Sequence, residues 1–185
     1  MNVLNTLRQT RTANQNPLQW YADNAKRLKR IKPRHLMRGS NLSSSISIGG
    51  MYLFSYNPKT KAKLPYYDRF PLAIPIEPYS NGFLGLNLHY LKPQYRVVLL
   101  KALTNVTSTQ KLNANAKIQA TYSLLNKSTK YKWFKPTLKR YLSSNVQSSF
   151  LEIEPSDWDM AIMLPVERFE KSGKTSVWAD SGRMI

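Results

Sequence analysis

Glu152 and Glu154 stand two residues apart in LEIEPSDWD, a spacing that puts both carboxylates on one face of a strand. With Asp68, Glu77, Asp157 and Asp159 they are the groups that could hold Mg²⁺ for phosphodiester cleavage, which needs clustered carboxylates beside a lysine or histidine. A simpler reading covers the same stretch. Ser156 caps a helix whose first turn carries Asp157 and Asp159, where carboxylates meet the positive helix end, and the remaining acids form a surface patch. No metal site is assigned. The two histidines, His35 and His89, fit no Ser-His-Asp spacing, so no catalytic residue is assigned either. GxxxxGK[ST] and GxGxxG are both missing, and Gly49-Gly50 precedes a strand instead of a helix. Without cysteine there is no disulfide framework, thiolate zinc site or cysteine nucleophile. The expectation is a protein that is not an enzyme, with no cofactor and no small-molecule substrate.

Binding chemistry is better supplied. In KYKWFKPTLKRY, Lys130, Lys132, Lys135, Lys139 and Arg140 interleave with Tyr131, Trp133, Phe134 and Tyr141, and no carboxylate intervenes. Cations neutralise phosphates, while a ring stacked on an exposed base contributes about 1–3 kcal/mol whatever the sequence. Rings at such spacing also build cores. At least two of the four are expected inside, with Trp133 or Phe134 facing the ligand. A second cationic run holds seven Lys/Arg and no acid between Lys26 and Arg38, and a third lies over residues 59–69.

The whole chain has 28 Lys/Arg against 10 Asp/Glu, a net +18. Residues 1–150 hold 24 of the cations and only three acids; residues 151–185 hold four cations and seven acids. Such a field draws polyanions, nucleic acid first, with an anionic membrane surface or an acidic protein patch as the other candidates. Lys26, Arg27, Lys29, Arg30, Arg34, Lys132, Lys135, Lys139 and Arg140 are the expected phosphate contacts. Helix-turn-helix, zinc-finger and RNP signatures are not found, and cations spread over three regions favour backbone contact without sequence readout.

These residues must be carried by identifiable elements. Residues 1–15 are polar, do not contain the apolar stretch of a secretory signal, and are expected to form a flexible arm. Asn16 and Pro17 then open a helix with Leu18, Tyr21, Ala25 and Leu28 on its apolar stripe, ended by Lys32-Pro33. GSNLSSS (39–45) reads as a linker. Beyond it the period changes to two, and MYLFSY (51–56), FPLAIPIE (70–77) and GFLGLNLHY (82–90) read as strands, with Pro71 and Pro75 at edges or bulges. Pro93 starts a helix with Tyr95, Val98, Leu99, Ala102 and Leu103 on one face, Ile118, Tyr122 and Leu125 mark another, and FLEIE (150–154) is a last strand. The longest apolar runs, Val97–Leu100 and Ala161–Pro165, fall short of a bilayer span, so no membrane partner is expected. The fold class is α+β: a small bent antiparallel sheet, an SH3-like half-barrel, followed by packed helices. Residues 1–45 form a basic N-terminal arm with one helix, and residues 46–185 one domain.

Three stretches carry a resemblance: GGMYLFSYNPKTKAKLPYYDRFPLAIPIEPYSNGFLGLNLHYLKPQYR (49–96), LEIEPSDWDMAIMLPVERF (151–169) and SVWADS (176–181). They are similar to the DNA end protector proteins of T4-like tailed bacteriophages, with LPYYDRFP and GFLGLNLHYL the distinctive segments. The resemblance implies a minor head protein of the virion, present in the host cytoplasm during assembly and after genome entry. It would sit on the termini of packaged double-stranded DNA, shield them from exonucleases, and help complete the head beside head or neck proteins. It carries over no site residues. Trp133 and Phe134 become candidates to stack on the terminal base pair, without sequence preference. Two alternatives stay open: a neck, tail or baseplate component docking onto acidic virion subunits, and, third, a metal-dependent nuclease.

Overall fold

Met51, Leu53, Leu72, Ile74, Leu86, Leu151 and Ile153 enter one aliphatic core, while Tyr52, Phe54, Ala73, Phe83 and Tyr141 fill a second, aromatic cluster. The two sets alternate along the same strands and so mark opposite faces of one sheet. The computed structural model describes residues 3–12, 14–38, 41–105, 116, 118, 121–123 and 129–184. Its strands are β1 (Leu42–Ser43), β2 (Met51–Leu53), β3 (Tyr67–Asp68), β4 (Leu72–Tyr79), β5 (Gly82–Asn87), β6 (Leu138–Leu142), β7 (Phe150–Ile153) and β8 (Phe169–Glu170). Six of them pair antiparallel in the order β1-β7-β2-β4-β5-β6, and β3 pairs with β8 in a separate ribbon.

The α+β class is observed, but the expected half-barrel is not. β7 arrives from near the end of the sequence and inserts between β1 and β2, which widens the sheet to six strands and leaves it open, with β1 and β6 at its edges. Pro75 sits where anticipated, beside the register shift between Pro75 and Glu77 and beyond the last β2 partner, so its missing N–H breaks no ladder. The β4–β5 turn needs a glycine. Gly82 adopts φ +151°, and a Cβ there would meet the Tyr141 carbonyl oxygen at 1.9 Å.

Helices cover the aliphatic face. They are α1 (Val3–Arg8), α2 (Pro17–Leu28), α3 (Pro33–Leu36) and α4 (Pro93–Asn105), with short helices at Trp158–Ala161 and Lys174–Arg183. The expected flexible arm is instead helical at its start. Leu4 and Leu7, three apart, bury against the core, and Arg8 and Arg11 reach Asp157 and Asp159 at 2.6 and 2.9 Å. Asn16 caps α2 by accepting the Leu18 N–H, as its sequence predicts. The buried stripe of α2, however, centres on Trp20 and Leu28, while Leu18 faces solvent. α4 is rotated in the same way: Arg96, Leu99, Leu100 and Leu103 go inside, and Tyr95 and Val98 stay out. Of the helix expected around Ile118, Tyr122 and Leu125, residues 121–123 are helical and Ile118 is buried; Leu125 lies outside the described residues.

A buried polar knot joins the ribbon to the body. The Asp68 carboxylate accepts from the Phe70 and Arg168 N–H groups, the Asn87 amide and, at 2.7 Å, pairs with His89 Nδ1. Burial pushes the Asp68 carboxyl up, but the His89 ring and the two backbone donors outweigh it and hold the carboxyl below its ordinary value. The stability this gives is present above the ordinary carboxylate pKa and is lost as pH falls through the folded one. Asp68→Ala should cost about 3–5 kcal/mol in urea unfolding, the range for stripping one partner from a buried pair. Arg69→Ala, which breaks the exposed Arg69–Glu170 pair, should cost about 0–1 kcal/mol. Equal losses from the two variants would refute the account.

Candidate nucleic-acid interface

The cations of residues 26–34 face solvent because the apolar residues between them do not. Leu28, Ile31 and Leu36 bury at the end of α2, in the following turn and in α3. That turns Lys26, Arg27, Lys29, Arg30 and Arg34 outward, all exposed. Among the described residues none of the five has an ion-pair partner.

The next cluster belongs to the loop after β2. Lys59, Lys61 and Lys63 are exposed there, and the loop is held by one ammonium: Lys171 Nζ donates to the carbonyls of Lys61, Ala62 and Leu64 at 2.6, 2.9 and 2.9 Å. Sequence reasoning noted this charge without assigning contacts to it. Its signal was the turn-rich NPKTKAKLP with three lysines and no acid. Two clefts flank the loop and share Tyr56 and Tyr67. One, about 700 Å³, runs from Pro33 of α3 past Lys61, Arg69 and Arg168. The other, about 390 Å³, lies between Lys59, Tyr66, Tyr90 and Lys139. Together the two clefts, called the furrow below, are lined by residues of all three regions: Pro33 of the first, Lys59, Lys61 and Arg69 of the second, and Lys139 and Arg140 of the third.

KYKWFKPTLKRY divides into a 3₁₀ helix, Thr129–Thr137, and β6. Lys132 and Lys135 are exposed and, among the described residues, without ion-pair partners. Trp133 is half-buried with its ring 5.8 Å from that of Tyr95, which is itself exposed, so one aromatic pair does reach the surface beside these lysines. Phe134 is a correction. At 1% exposure, with Tyr122 edge-on at 6.0 Å, it has no face to offer a base. Tyr141 is also inside, stacked on Phe83 at 5.1 Å; the Tyr131 side chain lies outside the described residues. Arg140 lies 4.1 Å over the Tyr79 ring and donates to Asn81 Oδ1 and the carbonyls of Phe83 and Tyr141, clamping the β4–β5 turn. Lys139 is half-buried with its ammonium 4.0 Å over the Tyr90 ring, and burial pushes its pKa down to about 8.

Most acids are engaged elsewhere, although Asp68 and Glu170 line the two clefts and Asp23 is exposed on α2. Asp157 and Asp159 hold Arg8 and Arg11, and Glu167 lies 3.2 Å from Lys174 and 3.9 Å from Arg96. Ser156 makes no capping bond, because a 3₁₀ turn at Pro155–Asp157 precedes the helix and Asp157 turns to the guanidinium of Arg8. Glu152 and Glu154 are exposed, Glu154 accepting from Asn41. Among the described residues no group of three His, Asp or Glu gathers for a metal, and no helix is long and apolar enough to cross a membrane. His35 Nδ1 accepts the Lys32 N–H, and His89 is fully buried against Asp68.

Residues 3–181 match the family model described as phage T4 terminal DNA protecting protein. No curated protein and no solved structure matches.

Lys139 allows a direct check of this electrostatics. Its folded pKa lies below that of the unfolded chain, so between about pH 8 and 10.5 the unfolded state binds more protons and stability rises with pH. Lys139→Met should therefore melt at the same or a higher temperature than the parent at pH 7, with the gap narrowing by pH 10. A variant less stable at pH 7 would contradict the assignment.

Proposed function

The chain belongs to the phage T4 terminal DNA protecting protein family, and from that membership we propose that it caps the ends of packaged double-stranded DNA without catalysis. The observation that carries this reading is how the charges are sorted. Among the described residues the ion pairs engage Arg8, Arg11, Arg69, Arg96, Lys174 and Arg183, while Lys26, Arg27, Lys29, Arg30, Arg34, Lys132 and Lys135 are exposed without an acidic partner. Phosphate oxygens are the partners such cations lack, and displaced counterions drive the binding. The first 45 residues then act as the gripping element and the rest as the body that presents it. Trp133, with Tyr95 beside it, is the ring offered to the terminal base pair, a contact that needs no sequence. Lys139 and Arg140, recessed or already engaged, support the furrow from within. In this reading the protein resides in the virion, contacts head or neck proteins, and enters the host cytoplasm with the genome.

Protection of linear duplex against a purified exonuclease tests the proposal. The parent protein should slow digestion in proportion to occupancy of the ends. A Lys26/Arg27/Lys29/Arg30→Glu variant should lose protection, and Trp133→Ala should lose its preference for linear over closed-circular DNA. If six to ten phosphates are neutralised, log K against log salt should fall with a slope of about −5 to −9. A flat slope would favour docking onto acidic virion subunits instead, and Mg²⁺-dependent cleavage of the DNA would overturn the non-catalytic reading.

A further inference from the structure

The smaller cleft differs from the rest of the furrow in being walled by rings and holding a recessed cation. Tyr66 and Tyr90 stand 6.1 Å apart at 39°, and Phe169 braces Tyr90 edge-on at 5.2 Å. Leu64 and Leu138 complete the apolar lining, and Lys59 stands at the rim. Resting on the end-binding reading above, we propose that this cleft receives one unpaired nucleotide at the end of a DNA strand, its base against Tyr66, with the buried Tyr90 as the wall behind, and its phosphate on Lys139.

Three observations support this occupant. The cavity, about 390 Å³, falls in the small-ligand range of about 300–1,000 Å³, so it admits a single nucleotide and excludes a duplex. Lys139 is a partly desolvated cation whose near neighbour is a ring face and not an acid. Asp68, the carboxylate lining the cleft, is already committed to His89, Asn87 and the Phe70 and Arg168 amides, so it does not neutralise Lys139. A phosphate oxygen supplies the missing charge, and a base supplies the flat apolar face that the rings match. The rim is also preformed. Lys171 holds the carbonyls of Lys61, Ala62 and Leu64 in the rim loop, so little ordering cost falls on binding.

The test is an anisotropy titration of the full chain with labelled duplexes that are blunt, carry a one-nucleotide 3′ or 5′ overhang, or carry an abasic one-nucleotide overhang. At least one overhang should bind roughly 5- to 160-fold tighter than the blunt end, the range a stacked base supplies, and the abasic overhang should lose most of that gain. The overhang-to-blunt affinity ratio should fall to near one in Tyr66→Ala and Lys139→Met and survive in Tyr66→Phe, which keeps the ring. Equal affinity for blunt and overhanging ends, or an abasic overhang as good as a complete one, would overturn the pocket while leaving end binding intact. No binding to any duplex would instead refute the reading on which it rests.

Discussion

A carboxylate sealed away from water costs several kcal/mol unless donors surround it, and Asp68 draws its donors from much of this molecule. Its four donors come from Phe70 just after β3, Arg168 just before β8, Asn87 at the end of β5 and His89 in the turn that follows. His89, once fixed by Asp68, presents its carbonyl to Trp178 of the C-terminal helix at 2.8 Å. Arg96 of α4 lies in the same knot, donating to the carbonyls of Leu91 and Ile162 with Glu167 nearby. Five separate stretches of sequence thus meet at a few polar groups, and their relative placement follows from satisfying them.

That knot also shapes the electrostatic surface. The arginines that enter the interior or clasp the C-terminal acids leave the pool of free charge, and the acids they engage leave with them. What remains outward along α2, α3, the Lys59–Lys63 loop and the 3₁₀ helix is almost entirely cationic. Each pair removes equal and opposite charges, so pairing leaves the net +18 of the sequence unchanged and concentrates it on the remaining cations.

Where local chemistry decides, residues announced their own structure. Asn16-Pro17 set the start of α2, the Pro78–Gly82 turn set the hairpin, and Pro93 set α4. Tertiary packing decided the rest. The α1 helix hides in a polar stretch because only Leu4 and Leu7 anchor it, and that signal is too thin to outweigh its asparagines and threonines. α4 is turned from the expected stripe because Arg96 finds carbonyl partners inside, which no periodicity can reveal. β6 was masked by its own lysine and arginine, since a strand whose polar residues lie over Tyr90 and Tyr79 does not look half-buried from composition. For the interface, the open cations were readable from missing acids nearby, whereas which ring of Trp133 and Phe134 stays outside depended on Tyr95 and Tyr122, far away in sequence.

The strand order has a temporal side as well. β7 separates β1 from β2, so β1 cannot join the sheet until residue 153 has left the ribosome, on the order of ten seconds after β1 at usual translation speeds. Until then the nascent chain carries an unpaired β2 edge, and Arg8 and Arg11 remain bare because Asp157 and Asp159 do not yet exist. A half-made copy is therefore stickier and more basic than a finished one, because residues 150–185 bring both β7 and seven of the ten acids.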